Sequence, residues 1–459
     1  MSADALILSG FGLLLLGAIV ALFGNKLPHA NRTIATAGAV LAGAAAVLFA
    51  LAEPTVMFGA KYEYSTIVRI SVVSFCVMMV LWTMFVSGRV KYRTREAVAL
   101  AFFSLFGAAV MIGAREFITF IVAFELTLMP MYVLGGYWEK RRIGLEGTLK
   151  QFLFSVVASA LMVYGISLLY AASGSTFFDA IDITKAGPIG LMGLMMVMIG
   201  LFTKVGAVPL HFWVPDAYCG ATVWALSFMA TIAKAASSIA FLMIVSALWG
   251  QYDGLPLILA VIAVLSMVVG SFAALIQERV SRILAYSTIV NAGYIMVALV
   301  AFDEAGQRAI LAAVVYALFY AFAVMGTLFI TGSEGEQVKN LEGLSKRRPA
   351  AAWALLIFCA SLIGLPPLAG FFGKLYIFLI GFRSPYWIIA LVAVLTSVIS
   401  AFYYLRLVKA AFFDPENPAH EIAHGYHLEA RLCAKLAIAL CAAIVVGAGF
   451  FLGLLLDLV

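Results

Sequence analysis

Long apolar stretches, separated by short polar segments, run through the whole chain. Each is roughly 20 residues long, enough for a helix to cross a hydrocarbon core about 30 Å thick. Because lipid offers the backbone no hydrogen-bond partners, the stretches must be helices; they are too long and too uniformly apolar for barrel strands. We predict an all-α polytopic membrane protein with about fourteen transmembrane helices, over residues 4–24, 33–52, 66–87, 97–113, 116–137, 148–171, 188–212, 222–248, 255–277, 281–301, 309–331, 351–380, 385–411 and 432–456.

Two of these helices carry prolines in their middle regions. The seventh contains Pro209 and Pro215, and the twelfth contains Pro366 and Pro367. Interior proline removes a helix hydrogen bond and forces a kink or break, which is tolerated at membrane depth where it lines a polar cavity. The spacing of the breaks predicts two five-helix repeats, helices 4–8 and 9–13. An odd number of helices makes such repeats inverted, a common transporter architecture.

Composition places all of these helices in one membrane domain. Hydrophobic residues make up 64% of the 459 residues and charged residues 11%, and the mean hydropathy of +1.08 excludes a soluble domain. We predict a single transmembrane domain, 1–459, with N-terminal helices 1–3 (1–95), a first repeat (96–248), a second repeat (255–412) and a C-terminal helix (431–459).

Basic residues gather on alternate loops. The loops rich in basic residues, called the rich loops, contain Lys26, Arg32, Arg89, Lys91, Arg93, Arg95, Lys140, Arg141, Arg142, Arg279, Arg282, Lys339, Lys346, Arg347, Arg348, Lys409 and Arg431. The alternate loops, poor in basic residues, contain Lys61, Arg115, Lys185, Arg308 and Arg383. The positive-inside rule places the rich loops in the cytoplasm and both termini on the opposite side. The net charge of +6 is therefore a topology signal, and a nucleic-acid partner is not expected.

Four charged residues lie inside apolar stretches: Glu125, Lys204, Lys234 and Lys374. A charged side chain near a bilayer centre costs about 2.5–3.5 kcal/mol on insertion scales. Each also has a purely structural interpretation: a bundle carboxylate for Glu125, a static ion pair for Lys204, snorkelling for Lys234, and a cap on freed carbonyls for Lys374. We favour the interpretation that they move, hold or steer a proton or another small cation.

Other polar residues are candidates of lower rank. His211 and Asp216 flank the first break and are either pathway elements or a polar helix terminus. Lys150 lies near a helix start, where snorkelling is an alternative. The loop residues His420, His424 and His427 have a spacing that a metal site could use. The five cysteines form no CxxC or Cys/His pattern, and the chain has no GxGxxG or P-loop, so we expect no cofactor in this chain.

Several segments resemble the antiporter-like membrane subunits of respiratory complex I and its relatives. The resemblance covers nearly the whole chain beyond the first three helices, and a lysine before VGAVPLHFW together with PDAYCGA is highly specific for the superfamily. Within it the chain N type is most similar, because Lys374 stands where chain M would have a glutamate, although FELTLMPMY also resembles chain M. The segments are FELTLMPMYVLGGYW, EGTLKQFLFSVVASALMVYGISLLYAASGS, TKVGAVPLHFWVPDAYCGATVWALSFMATIAKAA, RILAYSTIVNAGYIMVAL and NLEGLSKRRPAAAWALLIFCASLIGLPPLAGFFGKLYIF.

The resemblance implies specific roles for the buried charges. Glu125 is expected to pair with Lys204, Lys234 to relay a proton towards Lys374, and Lys150 to modulate the Lys204 site. Where many relatives place a histidine, this chain has Asn291, so a titrating role there is in doubt.

The resemblance also implies the setting of the chain. It is expected in a bacterial inner membrane, among a neighbouring antiporter-like chain and small helical subunits. NADH, FMN, iron–sulfur clusters and quinone are expected in partner subunits. Three alternatives stay open: a subunit of a multisubunit sodium/proton antiporter, a subunit of a membrane-bound hydrogenase or a ferredoxin or F420H2 dehydrogenase complex, and a structural subunit whose charges only hold the bundle together.

Overall fold

The structure is a computed structural model that describes residues 2–24, 30–87, 94–136, 142–415 and 432–455. The candidate metal-site histidines His420, His424 and His427 lie outside the described residues, as do the loop cations Lys26, Arg89, Lys91, Arg93, Lys140, Arg141 and Arg431.

The described chain is almost entirely helical, and thirteen of its helices are long and apolar enough to cross a membrane. The segment predicted over 351–380 is present as two shorter apolar helices, Pro349–Ile363 and Ala369–Gly381. The predicted all-α polytopic membrane fold is confirmed, and the chain is an integral membrane protein. The helices are α1 (Ala3–Phe23), α2 (Ala30–Leu51), α3 (Thr66–Val86), α4 (Thr94–Gly113), α5 (Phe117–Gly136), α6 (Arg142–Ser173), α7 (Ile183–Val205), α8 (Trp213–Gly220), α9 (Val223–Phe228), α10 (Lys234–Ala247), α11 (Leu255–Leu275), α12 (Val280–Val300), α13 (Phe302–Ala305), α14 (Gln307–Glu334), α15 (Leu344–Arg347), α16 (Pro349–Ile363), α17 (Ala369–Gly381), α18 (Ile388–Phe412) and α19 (Leu432–Leu455).

Short non-α elements connect some of the helices. Strands β1 (Thr55–Met57) and β2 (Tyr62–Tyr64) form an antiparallel hairpin between α2 and α3. Single 3₁₀ turns cover Phe178–Ala180 and Val338–Leu341.

The most completely buried of the described membrane spans are those that carry Lys234 and Asn291. In the central apolar stretches of Val223–Ala247 and Val280–Val300, 94% of the residues are buried, against 33% in Leu432–Phe451. A helix that is buried all round must face protein on every side. The polar side chains of α10 and α12 therefore face the protein interior and not the lipid.

Both predicted helix breaks are present. The helix α7 ends at Val205, and the chain resumes a helix only at Trp213. The helix α16 ends at Ile363, and α17 begins at Ala369. Each helix is followed by a glycine with positive φ, Gly206 at +70° and Gly364 at +92°, a conformation that side-chain-bearing residues rarely adopt. The inverted relation between two five-helix repeats stays a prediction.

A buried carboxylate joins three connecting segments at one end of the bundle. Glu116 precedes α5 and its side chain is only 4% exposed. It accepts hydrogen bonds from Thr119 at 2.7 Å and Thr176 at 2.9 Å, and Lys61 Nζ lies 3.4 Å from Oε1. Burial alone would raise the pKa of the Glu116 carboxyl, but these hydroxyls and the ammonium stabilise the carboxylate and lower the pKa below its ordinary value.

We expect Glu116→Gln to destabilise the purified chain by about 1–3 kcal/mol, since the buried network loses its negative charge and one of its two acceptor oxygens. The folded-state pKa is lowered, so this contribution is present above the ordinary carboxyl pKa and disappears as pH falls through the folded-state value. Thermal unfolding in detergent at neutral and acidic pH measures both effects. Exposed Glu53→Gln is the control. Equal melting temperatures for wild type and Glu116→Gln at neutral pH would contradict the prediction.

Candidate functional site

At the first break, a lysine from the next membrane segment caps the end of α7. Lys234 is buried, and its Nζ donates hydrogen bonds to the carbonyl oxygens of Val205 at 2.7 Å and Lys204 at 3.4 Å. The last carbonyls of a helix have no partner within the helix and carry the negative end of its dipole. The Lys234 ammonium therefore satisfies orphan carbonyls at membrane depth, and its position excludes the snorkelling interpretation.

The backbone changes geometry immediately before Lys234. The segment Met229–Ala233, immediately before Lys234, is a π-helical turn inside the membrane helix. Such turns are rare and are often found at functional sites. The Lys234 ammonium also lies 5.6 Å from the centroid of the Trp213 ring, at a distance where the aromatic face attracts a cation.

At the second break, Lys374 makes the same kind of contact. Its Nζ donates to the carbonyl oxygens of Leu362 at 2.8 Å and Ile363 at 3.0 Å, the last residues of α16. It also contacts Ser397 Oγ at 3.1 Å and lies 5.4 Å from the Tyr294 ring centroid. The capping interpretation of Lys374 is thus present in the geometry, and the exit-gate interpretation stays a prediction.

Glu125 and Lys204 have neutral partners in this conformation. Lys204 is buried, donates to the Tyr132 hydroxyl at 2.9 Å, and lies 4.9 Å from the Phe124 ring centroid. The Glu125 carboxylate accepts a hydrogen bond from Ser159. Among the described residues, no nitrogen–oxygen pair within 4.0 Å joins Lys204 to Glu125. The pair expected from the resemblance is therefore not in direct contact here.

Lys150 belongs to an ion cluster between α6, α8 and α12. Its Nζ lies 2.7 Å from Glu146 and 2.7 Å from Asp216, and Arg282 lies 3.5 Å from the second oxygen of Asp216. A cavity of about 260 Å³ adjoins the cluster. Asp216 is thereby an ion-pair partner of Lys150. A Lys150 bound to two carboxylates is held in place instead of extending freely to the interface.

His211 lies inside the first break. It is buried, its ring lies against Phe212 with centroids 4.7 Å apart, and its Nδ1 has no hydrogen-bond partner among the described residues. An unpartnered buried nitrogen is a position where a water or a moving proton could be accommodated. Among the residues that the structure describes, no hydrogen bond joins His211 to Lys204, Lys234 or Lys374.

A cluster of buried hydroxyl groups in the second half was not singled out from the sequence. Ser287 contacts the hydroxyls of Tyr320, at 2.9 Å, and Tyr404, and Thr288 lies 3.3 Å from Tyr320. A neutral hydroxyl in an apolar helix costs little free energy to bury. Such residues are therefore less conspicuous in the sequence than charged ones. Their spacing along α12 with Asn291 and Tyr294, which repeats every three or four residues, is the signal that could have found them.

The helix α12, which carries Ser287 and Thr288 of this cluster, packs against the helices of both capping lysines. It packs against α10, which carries Lys234, and against α17, which carries Lys374. Tyr294 of α12 lies beside Lys374, and its hydroxyl is 3.4 Å from Thr396. Asn291 is buried in the same helix, and its Nδ2 has no partner among the residues the structure describes.

The described residues contain no group of three or more histidine, cysteine, aspartate or glutamate side chains arranged to hold a metal ion. The chemistry that the site can perform with its own groups is proton binding and release by the lysines, Glu125 and His211, supported by neutral hydroxyls.

Comparisons with known proteins agree on the family. The model of the family described as "NADH:quinone oxidoreductase/Mrp antiporter, TM" matches residues 114–400. The NADH-quinone oxidoreductase subunit N of Rhodospirillum rubrum is 34% identical over 355 residues, 75% of this chain and 72% of the relative. That of Paramagnetospirillum magneticum is 37% identical over 342 residues, 71% of this chain and 70% of the relative.

Solved structures share the whole fold. A chain of the Thermus thermophilus respiratory complex I structure with bound Aureothin has a TM-score of 0.83 and 29% identity, covering 98% of each chain. A chain of the Mrp complex from Dietzia has a TM-score of 0.83 at 17% identity, covering 99% of this chain and 96% of that one, which is a likeness of fold alone. With two broken membrane helices, the matching family model and relatives above 30% identity, this chain belongs to the NADH:quinone oxidoreductase/Mrp antiporter family of membrane proteins.

Proposed function

We propose that this chain is the proton-translocating, non-redox membrane subunit of a complex I-type NADH:quinone oxidoreductase. Support comes from relatives named subunit N at 34% and 37% identity, against 17% for the Mrp structure. In this proposal the NADH, FMN, iron–sulfur clusters and quinone belong to other subunits. A neighbouring antiporter-like chain and small helical subunits flank this one in a bacterial inner membrane, with both termini on the non-cytoplasmic side.

The single observation that carries the mechanism is the capping of both helix breaks by lysines. A protonated lysine is held by the negative ends of α7 and α16, because partial negative charge favours the charged form of the amine. Loss of the proton weakens that hold and leaves carbonyls without their donor. Each cap is thus a proton site whose occupancy is linked to the geometry of a helix end.

The proposed order of transfer runs from Glu125 and Lys204 to Lys234 and then to Lys374. The carbonyl of Lys204 is itself one of the two acceptors of Lys234, so a displacement of this turn alters the Lys234 cap directly. A proton leaving Lys234 passes towards Lys374 along the hydroxyls carried by α12 and its neighbours. Lys150 holds Asp216 near the first break and modulates the Lys204 site from there, and His211 supplies a further proton acceptor inside the break.

In the proposed repeats, 96–248 and 255–412, the two helix breaks lie at corresponding positions. Each break has an α-helix ending at a glycine of positive φ and a buried lysine on its last carbonyls. The two lysines differ in where they lie: Lys234 is on the membrane helix after the break, and Lys374 is on the second half of the broken helix.

We expect Glu125→Gln to slow proton movement through this chain by about 100-fold or more, the usual contribution of a positioned proton-transfer group. Glutamine keeps an acceptor oxygen for Ser159 but carries no charge, so assembly should be preserved. The measurement is the number of protons moved per electron in the assembled complex, reconstituted in vesicles. Exposed Glu304→Gln is the control. A wild-type ratio at the wild-type rate in Glu125→Gln would exclude Glu125 from the relay.

The subunits that purify with this chain distinguish the complex I assignment from the antiporter alternative. A partner with flavin or iron–sulfur clusters supports the complex I assignment. Sodium-linked proton uptake by an assembly without redox partners would replace it with the multisubunit sodium/proton antiporter. Lysine variants that lose assembly as well as pumping would instead favour a purely structural role for the buried charges.

A further inference from the structure

A cavity of about 540 Å³ lies between α14, α16 and α19, away from the lysine-capped breaks. Its lining combines charged residues with small or branched apolar ones: Ile330, Ser333, Glu334, Arg348, Ala350, Ala351, Ala354, Lys435, Ile438 and Ala439. Nothing in the proposed proton relay uses these residues.

The charged residues of the cavity lie at the ends of their helices. Glu334 is the last residue of α14, Arg348 immediately precedes α16, and Lys435 is in the first turn of α19. The apolar lining residues lie further along the same helices, towards the middle of the bundle. The cavity is therefore charged at the boundary of the membrane and apolar towards its interior.

A buried carboxylate positions the cations at the charged end. Glu334 is 3% exposed and accepts hydrogen bonds from Arg347 at 3.0 Å and Arg348 at 2.8 Å. Arg347 is fixed further by the carbonyl oxygens of Asn340 and Glu342. The bond from Arg348 to Glu334 uses one of the five N–H donors of a guanidinium, and the Arg348 side chain is 36% exposed. Exposed Lys435 lines the same end of the cavity, so the charged lining residues are Glu334, Arg348 and Lys435, with a net positive charge.

The other end of the cavity is lined by small and branched apolar side chains. Alanines at positions 350, 351, 354 and 439 leave a slot between helices, with Ile330 and Ile438 on its sides. This apolar lining matches the chemistry of an acyl chain.

We propose that this cavity binds one anionic phospholipid. Its phosphate contacts Arg348 and Lys435, and one acyl chain lies in the alanine-lined slot. Basic pockets between membrane helices recognise anionic headgroups through this combination of charge and apolar contact. The lipid then joins α19 to α16, the helix whose far end is capped by Lys374. The proposal concerns lipid binding alone and stands apart from proton translocation.

The experiment is a lipid titration of the purified full-length chain by native mass spectrometry, with dioleoylphosphatidylglycerol and dioleoylphosphatidylcholine as probes. We expect one tightly retained phosphatidylglycerol per chain and no equivalent phosphatidylcholine. Lys435→Gln should weaken phosphatidylglycerol binding by about fivefold, the equivalent of about 1 kcal/mol for one cation near a lipid surface. Ala439→Phe should weaken it as well, because the ring fills the slot without changing the charge.

Two comparisons make this test specific. Lys409→Gln removes an exposed lysine paired with Asp414 at 3.6 Å, outside the cavity, and should leave binding unchanged. Arg348→Gln disturbs Glu334 and is informative only beside Lys435→Gln, which does not touch that network. Equal binding of the two lipids, or unchanged binding in both Lys435→Gln and Ala439→Phe, overturns the proposal. Unchanged lipid binding with loss of complex assembly in these variants would assign the cavity to a partner subunit.

Discussion

Lys234→Met in the assembled complex abolishes proton movement through this chain while leaving the chain folded. Methionine matches the length of the lysine side chain and adapts to irregular apolar surroundings. The substitution leaves the carbonyls of Val205 and Lys204 without their donor, at a cost of about 1–3 kcal/mol. Removal of a buried charge offsets much of that cost. Loss of the proton site has no such compensation, and we expect at least a 100-fold slower transfer.

Lys234→Arg separates the two roles of the residue. A guanidinium donates to the same carbonyls and keeps the positive charge, but it does not release a proton in proteins. If Lys234 carries protons, both the methionine and the arginine variants are inactive in proton translocation. If it only caps α7, the arginine variant restores activity that methionine loses. Lys409→Met, at an exposed position, is the control for a changed lysine elsewhere. Wild-type proton-to-electron ratios in Lys234→Met would refute the relay.

The broad fold follows from the sequence because one physical constraint dominates it. In lipid every backbone polar group needs an internal partner, so apolar length alone predicts the helices. The breaks were predictable for a related reason: Pro209 and Pro367 cannot donate the hydrogen bonds that continuous helices need. The sequence also identified Lys234 and Lys374 as anomalies, since lysine inside an apolar run carries a large insertion cost.

The contacts of these lysines could not be predicted from spacing. Lys234 caps a helix that ends 29 positions earlier in the chain, at Val205, and this pairing depends on how α10 packs across the break. The π turn at Met229–Ala233, immediately before Lys234, contains no proline or glycine from which it could have been predicted. The same holds for Glu125 and Lys204, where Ser159 and Tyr132 take the places that an ion-pair partner was expected to fill. Tertiary packing, not local propensity, decides these partners.

Gly206→Ala is expected to disable the first break through two independent effects. Gly206 has φ +70°, where an L-residue with a side chain loses roughly 1–2 kcal/mol. A β-carbon there would lie 2.7 Å from Val214 Cγ2 and 3.2 Å from Lys234 Nζ. Overpacking of this kind typically costs about 1–3 kcal/mol. We therefore expect a destabilisation of about 2–5 kcal/mol, with Lys234 displaced from the carbonyl of Val205.

Gly250→Ala separates the effect of backbone strain from that of the steric contact with Val214 and Lys234. Gly250 also has positive φ, at +79°, but a β-carbon there meets nothing within 4 Å. It should lower the melting temperature of the purified chain and leave proton translocation intact, whereas Gly206→Ala should lower both. We expect Gly364→Ala to have an effect on translocation between those of the other two variants. Its β-carbon would lie 3.1 Å from Lys374 Cδ, a flexible part of a side chain that can move aside. If Gly206→Ala and Gly250→Ala affect stability and translocation equally, the close approach of Lys234 to the break is not required for translocation. A selective loss in Gly206→Ala would mean that the glycine is required because Val214 and the capping ammonium occupy the space where a side chain would be.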